Sequence, residues 1–459
     1  MPTQQLSLTA AQIDTALKGV DGSHYIAEPP TGFTTPSYLT GIQAIKNGNI
    51  YDCSIKPEDL LDVSTYTNYL YVDYTRPDSS GDGRSWATAE KGIGQAIDTA
   101  ITDAVATRIF VRGGSYTRAY TICNGNAAKV LTAPISIEAV YGRVETGTFD
   151  ALTWSANGTY PLVYETTRSN SSHVIDPSFK DQEGDYRSYE LATSLADCSA
   201  NPGSWYTDNV TTYVHHFSSV PVSNANARVL LNAEAGRFNS NQDIYMRGID
   251  IQGGSSGALK IEGGSTNKIV IDNCSAKFAQ TGPVVSPTAI DGYQVLGCGL
   301  FAAFDSEASK NSKDGFNFHK EGANIPSALL VRCKGRGNGS LAASSVSNNG
   351  FTTHDGVVSV DIGGDWLGNY GAGSAHVNDG TQQWSVGSVS GDSVGDVILG
   401  GSLDYGAFGA WDGSPEMWLD SCRDVGAFSG IESGGTATVK TRNHSGTGIQ
   451  GGAGTITTY

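Results

Sequence analysis

Short apolar strands recur through residues 244–425 at a spacing that few folds accommodate. They are IYMRG (244–248), IVIDN (269–273), YQVLG (293–297), LLVRC (329–333), VSVDI (358–362), WSVGS (384–388), VILGG (397–401) and MWLDS (417–421). When Met246, Ile271, Val295, Val331, Val360 and Val386 are taken as equivalent positions, the steps between them are 25, 24, 36, 29 and 26 residues. Repeats of roughly 20–50 residues are typical of solenoids. One strand per repeat, with Gly-rich turns and no helix between strands, predicts an all-β parallel β-helix.

Composition supports a turn-rich globular protein and removes several other classes. Gly accounts for 58 of 459 residues, charged residues for 16% and apolar residues for 39%, which excludes a disordered chain, a collagen and a coiled coil. The net charge of −17 argues against nucleic acid as a partner. No apolar run approaches about 18 residues, so we expect no membrane insertion. Seven Cys without a CxxC pair predict buried thiols, and we expect no metal site and no cofactor.

The N-terminal part of the chain divides into two predicted regions. Residues 1–68 form an adaptor or attachment segment in which 6–17 has helical spacing, or else a frayed terminus. Residues 69–140 begin the β-helix and contain a capping helix over 88–104, whose apolar residues recur every fourth position. A strand followed by a helix also opens many α/β domains, but the lack of further helices downstream argues against that class.

The remainder of the chain divides into an insertion and the main solenoid. Residues 141–243 interrupt the repeat and are rich in Tyr and Trp, which predicts an inserted β or loop subdomain with strands at 159–167 and 211–217. Residues 244–459 form the main β-helix and its C-terminal end.

Asp-Gly pairs suggest a second repeating feature beside the strands. They occur at 291–292, 314–315, 355–356 and 379–380, in steps of 23, 41 and 24 residues. We interpret them as stacked corners of successive rungs, with the longer step carrying a loop over 336–350. Ordinary turn formation, for which Asp-Gly is a common pair, is the competing explanation.

Titratable side chains concentrate between residues 314 and 379, which predicts a site on the solenoid surface. Strands stack about 4.8 Å apart, so residues one or two rungs apart lie at about 5–10 Å, the separation of the carboxyl pairs in glycosidases. Alternation in VSVDI predicts that Val358, Val360 and Ile362 point inward and that Ser359 and Asp361 point outward. The residues expected to share a surface groove are Asp361, His319, Asp355 and Asp379. An outward Trp366 or Tyr370 would stack on a sugar ring.

Three segments resemble known β-helical proteins. YVDYTRPDSSGDGRSWATAEKGIGQAID (71–98) resembles the opening of pectate-lyase-like right-handed β-helices, and PGSWYTDNVTTYVH (202–215) is similar to a segment of the same class. DGFNFH (314–319) and THDGVVSVDIGGDW…AHVNDGTQQWSVG (353–387) resemble bacteriophage tailspike depolymerases.

This resemblance implies a right-handed parallel β-helix, usually a homotrimer, that binds and cuts a bacterial capsule, exopolysaccharide or O-antigen. It implies a location in the virion tail, with the N-terminal segment contacting other tail proteins. Because the catalytic groups of such proteins are commonly Asp and Glu, it nominates five motif positions, which are Asp314, His319, His354, Asp355 and Asp379.

Glycoside hydrolysis is the favoured reaction, with Asp355 and Asp379 as acid and as base or nucleophile. Other carboxylates that could replace either are Asp314, Glu321 and Asp361, while His319 and His354 would orient the substrate or tune pKa values. The residues expected to bind substrate are Trp366, Tyr370, Arg336 and His376.

Three alternatives remain open at this point. A lyase acting on a uronate-containing glycan would use a base and a cation from Arg332, Arg336 and His354. A receptor-recognition spike or adhesin would bind a glycan without cutting it, and a structural repeat protein would have no glycan partner.

Overall fold

The chain folds as a parallel β-helix built from three sheets. The computed structural model describes residues 24–124, 127–283, 288–339, 348–391, 406–426, 429–446 and 449–459. The β-helix, the capping helix and the inserted subdomain predicted from the sequence are confirmed. The helix predicted at 6–17 and the strand predicted at 397–401 lie outside the described residues.

In the middle of the solenoid each rung contributes one strand to each sheet, and equivalent strands pair in parallel along the axis. Sheet one comprises Asn68–Val72, Thr107–Tyr116, Ile135–Gly147, Ile244–Arg247, Lys268–Asp272, Leu300–Phe304, Ser327–Val331, Val358–Ile362, Gln382–Val386, Glu416–Asp420, Thr438–Arg442 and Thr455–Thr458. Sheet two comprises the later parts of Thr107–Tyr116 and Ile135–Gly147, then Ile249–Gln252, Ser275–Lys277, Glu307–Ser309, Lys334–Arg336, Asp365–Leu367, Val389–Gly391 and Arg423–Val425. Sheet three comprises Gly236–Ser240, Leu259–Gly263, Tyr293–Leu296, Phe316–His319, Phe351–Thr353, Ser374–Val377, Phe408–Trp411, Ser429–Ser433 and Ile449–Gly451.

The repeat read from the sequence mixed two of these sheets. Ile271 pairs with Ala303 in sheet one, whereas Val295 belongs to sheet three. The register was also shifted by two residues further along, because Val331 pairs with Ile362 rather than with Val360. Several sheet-one strands are buried on both faces, so an apolar residue at their centre does not identify which face it occupies.

The predicted orientation of VSVDI is wrong for the same reason. Val360 and Ile362 lie on the outer face of sheet one, in an apolar cluster with the N-terminal segment, residues 24–66. Ser359 and Asp361 are fully buried on the opposite, interior face of the strand. The apolar core of the solenoid contains the row of inward-pointing side chains from Ile271 to Leu330.

The N-terminal segment covers the middle of that outer apolar face. Its secondary structure is an antiparallel sheet of His24–Ala27, Ala44–Asn47 and Ile50–Cys53, the helix Pro57–Leu60, and 3-10 turns at Ser37–Leu39 and Val63–Thr65. Phe33 packs against Trp384 and Trp418, with ring centroids 6.2 and 5.7 Å apart. The outer surface of sheet one is therefore a second hydrophobic core between the segment and the solenoid.

The capping helix spans Ile93–Asp103 and closes one end of the solenoid. Ile93 and Ile97 are fully buried in the solenoid core, and Ile101 packs against it while partly exposed. This is the apolar face expected from the four-residue spacing. 3-10 turns at Trp86–Thr88 and Arg118–Tyr120 flank the strands beside the helix. None of the helices among the described residues is long and apolar enough to span a bilayer.

The inserted subdomain has its own small core. Its sheets are formed by Glu190–Leu191, Ser204–Thr207, Thr211–His215, Val163–Thr167 and Ser155–Ala156, and by Tyr186–Ser188, Ser171–Lys180 and Arg228–Leu231, with the helix Leu195–Ala200 beside them. Trp205 and Val214 are buried at its centre. The strands predicted at 159–167 and 211–217 are thus found, with slightly shorter bounds.

Asp-Gly pairs occupy two different corners rather than one. Pairs 291–292 and 314–315 precede sheet-three strands, whereas 355–356 and 379–380 follow them. At the first corner the rungs approach so closely that a Cβ on Gly315 would lie 2.5 Å from the carbonyl oxygen of Gly350. The step of 41 residues therefore runs from one kind of corner to the other and is not a single repeat. At the first corner, glycine is required because the backbones of neighbouring rungs stack so tightly.

Polar and thiol side chains stack inside the other corners. Asn311 donates to Asn338 at 2.9 Å, and Asn338 donates to Asn369 at 3.0 Å, all three being buried two residues after a sheet-two strand. All seven cysteines are buried and free, as the sequence predicted. Each rung thus satisfies its buried corner groups through the next rung.

Candidate functional site

Three of the predicted site residues lie inside the solenoid. Asp361 accepts hydrogen bonds from Trp366 Nε1 at 2.9 Å and from Ser385 Oγ at 3.3 Å. His376 is also fully buried, with Thr353 Oγ1 2.5 Å from its Nδ1. In this structure Asp361, Trp366 and His376 do not reach the surface groove proposed for them, because the side chain of each points into the interior of the solenoid and is fully buried there.

Burial shifts the pKa of these interior groups toward their neutral forms. Burial raises the pKa of Asp361 to about 6, against hydrogen bonds from Trp366 and its neighbours that lower it. Burial lowers the pKa of His376 to about 3. Both directions follow from the cost of a charge in an apolar surrounding.

The stacked histidines form a cluster on the outside of the corner after sheet three. The rings of His319 and His354 are parallel, with centroids 3.9 Å apart and an interplanar angle of 9°. His319 Nδ1 lies 3.4 Å from Asp355 Oδ2, and Lys320 Nζ lies 3.9 Å from Asp355 Oδ1. Burial, together with the neighbouring His319, lowers the pKa of His354 to about 3. A neutral imidazole beside a carboxylate-paired one is an arrangement capable of proton transfer.

Asp355 and Asp379 are not directed toward one another. They occupy successive corners, but the carboxylate of Asp355 faces His319 on the preceding rung. The Asp379 carboxylate instead accepts from the backbone N–H and the hydroxyl of Ser414 on the following rung, each at 2.8 Å. These bonds lower the pKa of Asp379. The two carboxylates therefore point in opposite directions along the axis.

The other predicted residues are dispersed. Asp314 is buried at the corner before sheet three and accepts from the backbone N–H of Asn349 at 2.7 Å. Glu321 is exposed in the turn after Phe316–His319, and Tyr370 is half-buried. Arg336 lies on the outer face of sheet two, where it pairs with Asp365.

A concave surface on that outer face brings together charged residues, most of which were not singled out from the sequence. We call it the charged groove. It lies between sheet two and the inserted subdomain, encloses about 320 Å³, and is lined by Arg143, Glu145, Lys180, Gly184, Asp185, Tyr186, Asp250, Gln252, Asn273, Cys274, Ser275, Lys277, Asp305, Ser306, Glu307 and Lys334. Such concave sites with a few converging polar groups are the usual locations of ligand binding.

Strand register arranges the polar side chains of the groove in a row. Successive paired positions in this row are Glu145, Asp250, Ser275, Glu307, Lys334 and Asp365. Because parallel strands lie about 4.8 Å apart, neighbouring members of the row are one strand spacing apart. The groove therefore presents functional groups at regular intervals along the solenoid axis.

Ion pairs hold the groove side chains in place. Arg143 binds Asp250 in bidentate fashion, at 2.5 and 2.8 Å, and Ser275 Oγ donates to the same carboxylate at 2.6 Å. Lys277 lies between Asp185 and Glu307, with the Glu307 contact at 2.8 Å. Burial disfavours the ammonium of Lys277, but the two carboxylates outweigh it and raise its pKa.

The sequence contains a weak signal for the groove. The strand triplets SAK, EAS, KGR and DWL each begin three residues after the end of a sheet-one strand, at 275, 307, 334 and 365. Three residues are too few to show alternation, so these triplets resemble turns. The described residues contain no group of three or more His, Cys, Asp or Glu side chains arranged to hold a metal ion.

If burial raises the pKa of Asp361, stability should depend on its ionisation. A folded-state pKa of about 6, above the unfolded value near 4, means that the folded state binds the proton more tightly, so stability falls as pH rises from 4 to 6. Asp361→Asn keeps an oxygen for Trp366 but does not ionise. We expect the variant to gain about 3 kcal/mol relative to the natural chain between pH 4 and pH 7, measured by urea unfolding. A stability difference that is constant over this range would contradict the assignment.

Comparison with solved structures finds several proteins whose sequence identity to this chain is low. Pectate lyase Pel9A is 11% identical with a TM-score of 0.40, over 85% of this chain and 78% of its own. The complex of XylC with xylose is 11% identical with a TM-score of 0.40, over 82% and 70%. The tailspike gp61 of Pseudomonas phage phi297 is 10% identical with a TM-score of 0.19, over 82% and 73%. No protein-family model and no curated protein sequence matches the chain. Likenesses this distant carry no conclusion about what the chain binds or cleaves.

Proposed function

We propose that the chain binds a bacterial surface polysaccharide along the charged groove and hydrolyses its glycosidic bonds there. The observation that carries this proposal is the register-aligned row from Glu145 to Lys334 on an open, concave face. A polymer needs an elongated site with repeated polar contacts, and hydrolysis of a glycosidic bond needs two carboxyl groups on opposite sides of it. The sequence resemblance to tailspike depolymerases supports the same class of substrate.

Asp250 and Glu307 are the carboxylates best placed for the reaction. They lie two strand spacings apart in one row, about 10 Å between equivalent backbone positions, which is close to the 6.5–9.5 Å separation of the carboxyl groups in inverting enzymes. Asp250 accepts three hydrogen bonds from Arg143 and Ser275, which suits a fixed base that activates water. Glu307 accepts one, from the Lys277 ammonium. To act as the acid, Glu307 takes up a proton, for which this ammonium is the adjacent source, and then donates it to the leaving-group oxygen.

Isosteric substitutions distinguish this pair from the pair predicted from the sequence. Asp250→Asn and Glu307→Gln should each lower kcat by about 10²–10⁴-fold, because each removes a group that transfers a proton. The measurement is the release of reducing ends from a panel of bacterial polysaccharides. Asp355→Asn and Asp379→Asn serve as matched controls and should retain most activity. If these controls lose activity and the groove variants keep it, the active site lies instead at the corner after sheet three.

β-Elimination is a second candidate reaction, favoured by the His319–Asp355 contact. Asp355 faces Nδ1 of a ring that is 29% exposed, and Lys320 and Lys313 supply positive charge nearby. A histidine oriented in this way can remove a proton, and a cation can neutralise the carboxylate of a uronate.

The product distinguishes elimination from hydrolysis. An unsaturated uronate absorbs in the ultraviolet, whereas a hydrolysis product does not. Under the groove proposal, digestion releases reducing ends without this absorbance, and His319→Gln leaves the rate within about threefold, since loss of a general base would cost at least about 10²-fold. Ultraviolet absorbance that disappears in His319→Gln would establish the lyase reaction instead.

We also propose that the protein acts as a homotrimer in a phage tail, attached to other tail proteins through its N-terminal region. This rests on the sequence resemblance. Light scattering on the purified protein should give three times the mass of one chain, and a monomeric mass at micromolar concentration would contradict the trimer.

A further inference from the structure

Five aromatic side chains form a continuous strip at the capped end of the solenoid. We call it the aromatic strip, and its members are Tyr69, Tyr71, Trp86, Phe110 and Tyr141. Tyr69 stacks on Phe110 with centroids 6.1 Å apart and an angle of 12°. Tyr71 contacts Phe110 at 5.8 Å and Trp86 at 4.9 Å, and Trp86 contacts Tyr141 at 5.7 Å.

The strip lies where the outer face of sheet one changes character. From Tyr245 onward this face belongs to the apolar cluster shared with the N-terminal segment. Tyr69 and Tyr71 precede it on the same face, and they are not part of that cluster. Tyr69 remains 41% exposed and Tyr141 78% exposed. The strip is thus open to solvent beside a region that the chain itself covers.

Tyr141 lies at the corner where the chain passes from sheet one to sheet two. Residues at this corner have a positive φ in successive rungs, among them Asn273, Asp305 and Arg332, and Tyr141 shares this conformation with a φ of 60°. Its ring is 78% exposed, so the corner presents a flat aromatic face to solvent.

The surroundings of the strip match a carbohydrate. Flat aromatic faces pack on the C–H faces of pyranose rings, and planar charged groups bond to sugar hydroxyls. Arg108 lies 5.0 Å from the Phe110 centroid and forms a bidentate pair with Glu138, at 2.9 and 3.0 Å. Arg247 donates to the same carboxylate at 3.1 Å. The two guanidinium groups thus share the Glu138 carboxylate beside the rings, and the carboxylates of Asp62 and Asp272 lie close enough to interact with Arg108 and Arg247.

The strip is continuous with the charged groove. Tyr141 and Arg143 are two residues apart in the single strand Ile135–Gly147, which passes from sheet one into sheet two. Arg143 lines the groove and binds Asp250. The strip and the groove are therefore adjacent along this strand.

We propose that the aromatic strip is a remote glycan-binding subsite that holds the polysaccharide chain beyond the groove. The inference rests on the proposed function, since it extends the site in which the polymer is cleaved. It assigns Tyr141 and Trp86 to stacking on sugar rings and Arg108 and Arg247 to hydrogen bonds with sugar hydroxyl groups.

Affinity electrophoresis through gels containing the polysaccharide tests the subsite separately from cleavage. The background is Asp250→Asn, so that the polymer stays intact. Adding Tyr141→Ala should weaken retardation by about 3–10-fold in apparent Kd, as expected for one lost stacking contact. Tyr141→Phe, which keeps the ring, should restore it. Tyr213→Ala is the matched control, because Tyr213 is also a stacked surface tyrosine but lies in the inserted subdomain, 6.0 Å from Tyr206.

The outcomes separate this inference from the proposed function. Equal retardation of Tyr141→Ala and Tyr213→Ala would overturn the subsite while leaving cleavage in the groove intact. If Tyr141→Ala weakens the retardation and Tyr141→Phe weakens it equally, the stacking role of Tyr141 is overturned. If the natural chain shortens no polysaccharide but Tyr141→Ala still weakens retardation, the hydrolase proposal fails and the subsite stands.

Discussion

In-register stacking of parallel strands is the constraint on which the rest of this structure depends. Each side chain lies above its counterpart from the previous rung, so a row of residues shares one environment over the length of the solenoid. Interior rows change from Ile271 and Leu330 to Asp361 and Ser385 without loss of register. The same stacking places Asp250 and Glu307 in one outward row. Core, corners and groove therefore differ in chemistry, while the backbone geometry remains the same.

The outer face of sheet one shows what this constraint requires of the N-terminal segment. A continuous apolar row from Val270 to Trp418 would expose a large hydrophobic patch along the solenoid, and residues 24–66 remove it from water. Because this face is covered, the strand Val358–Ile362 can have its apolar residues outside and its polar residues inside. There Asp361 accepts a hydrogen bond from Ser385 on the next rung. The segment is therefore part of the packing of the solenoid, whatever else its preceding residues contact.

Sequence patterns predicted the parts of the fold that have strong periodicity. The capping helix followed from the four-residue spacing of Ile93, Ile97 and Ile101, and the solenoid from repeated apolar strands. Strand orientation was not predictable in VSVDI, because burial on both faces removes the usual meaning of alternation. The candidate site was missed because its strands have only three residues, so charged groups such as Lys277 and Glu307 resembled turn residues. Asp355 and Asp379 were found at successive corners, but the direction of their carboxylates depends on hydrogen bonds that spacing alone does not reveal.

The central claim is that the polymer binds on the outer face of sheet two. A crystal structure of the Asp250→Asn variant with a long oligosaccharide of a susceptible polysaccharide measures this directly. We expect sugar density in the charged groove, with one glycosidic oxygen near Glu307 and the oligosaccharide continuing toward Tyr141. Density confined to the corner that carries His319 and Asp355, with an empty groove, would contradict it.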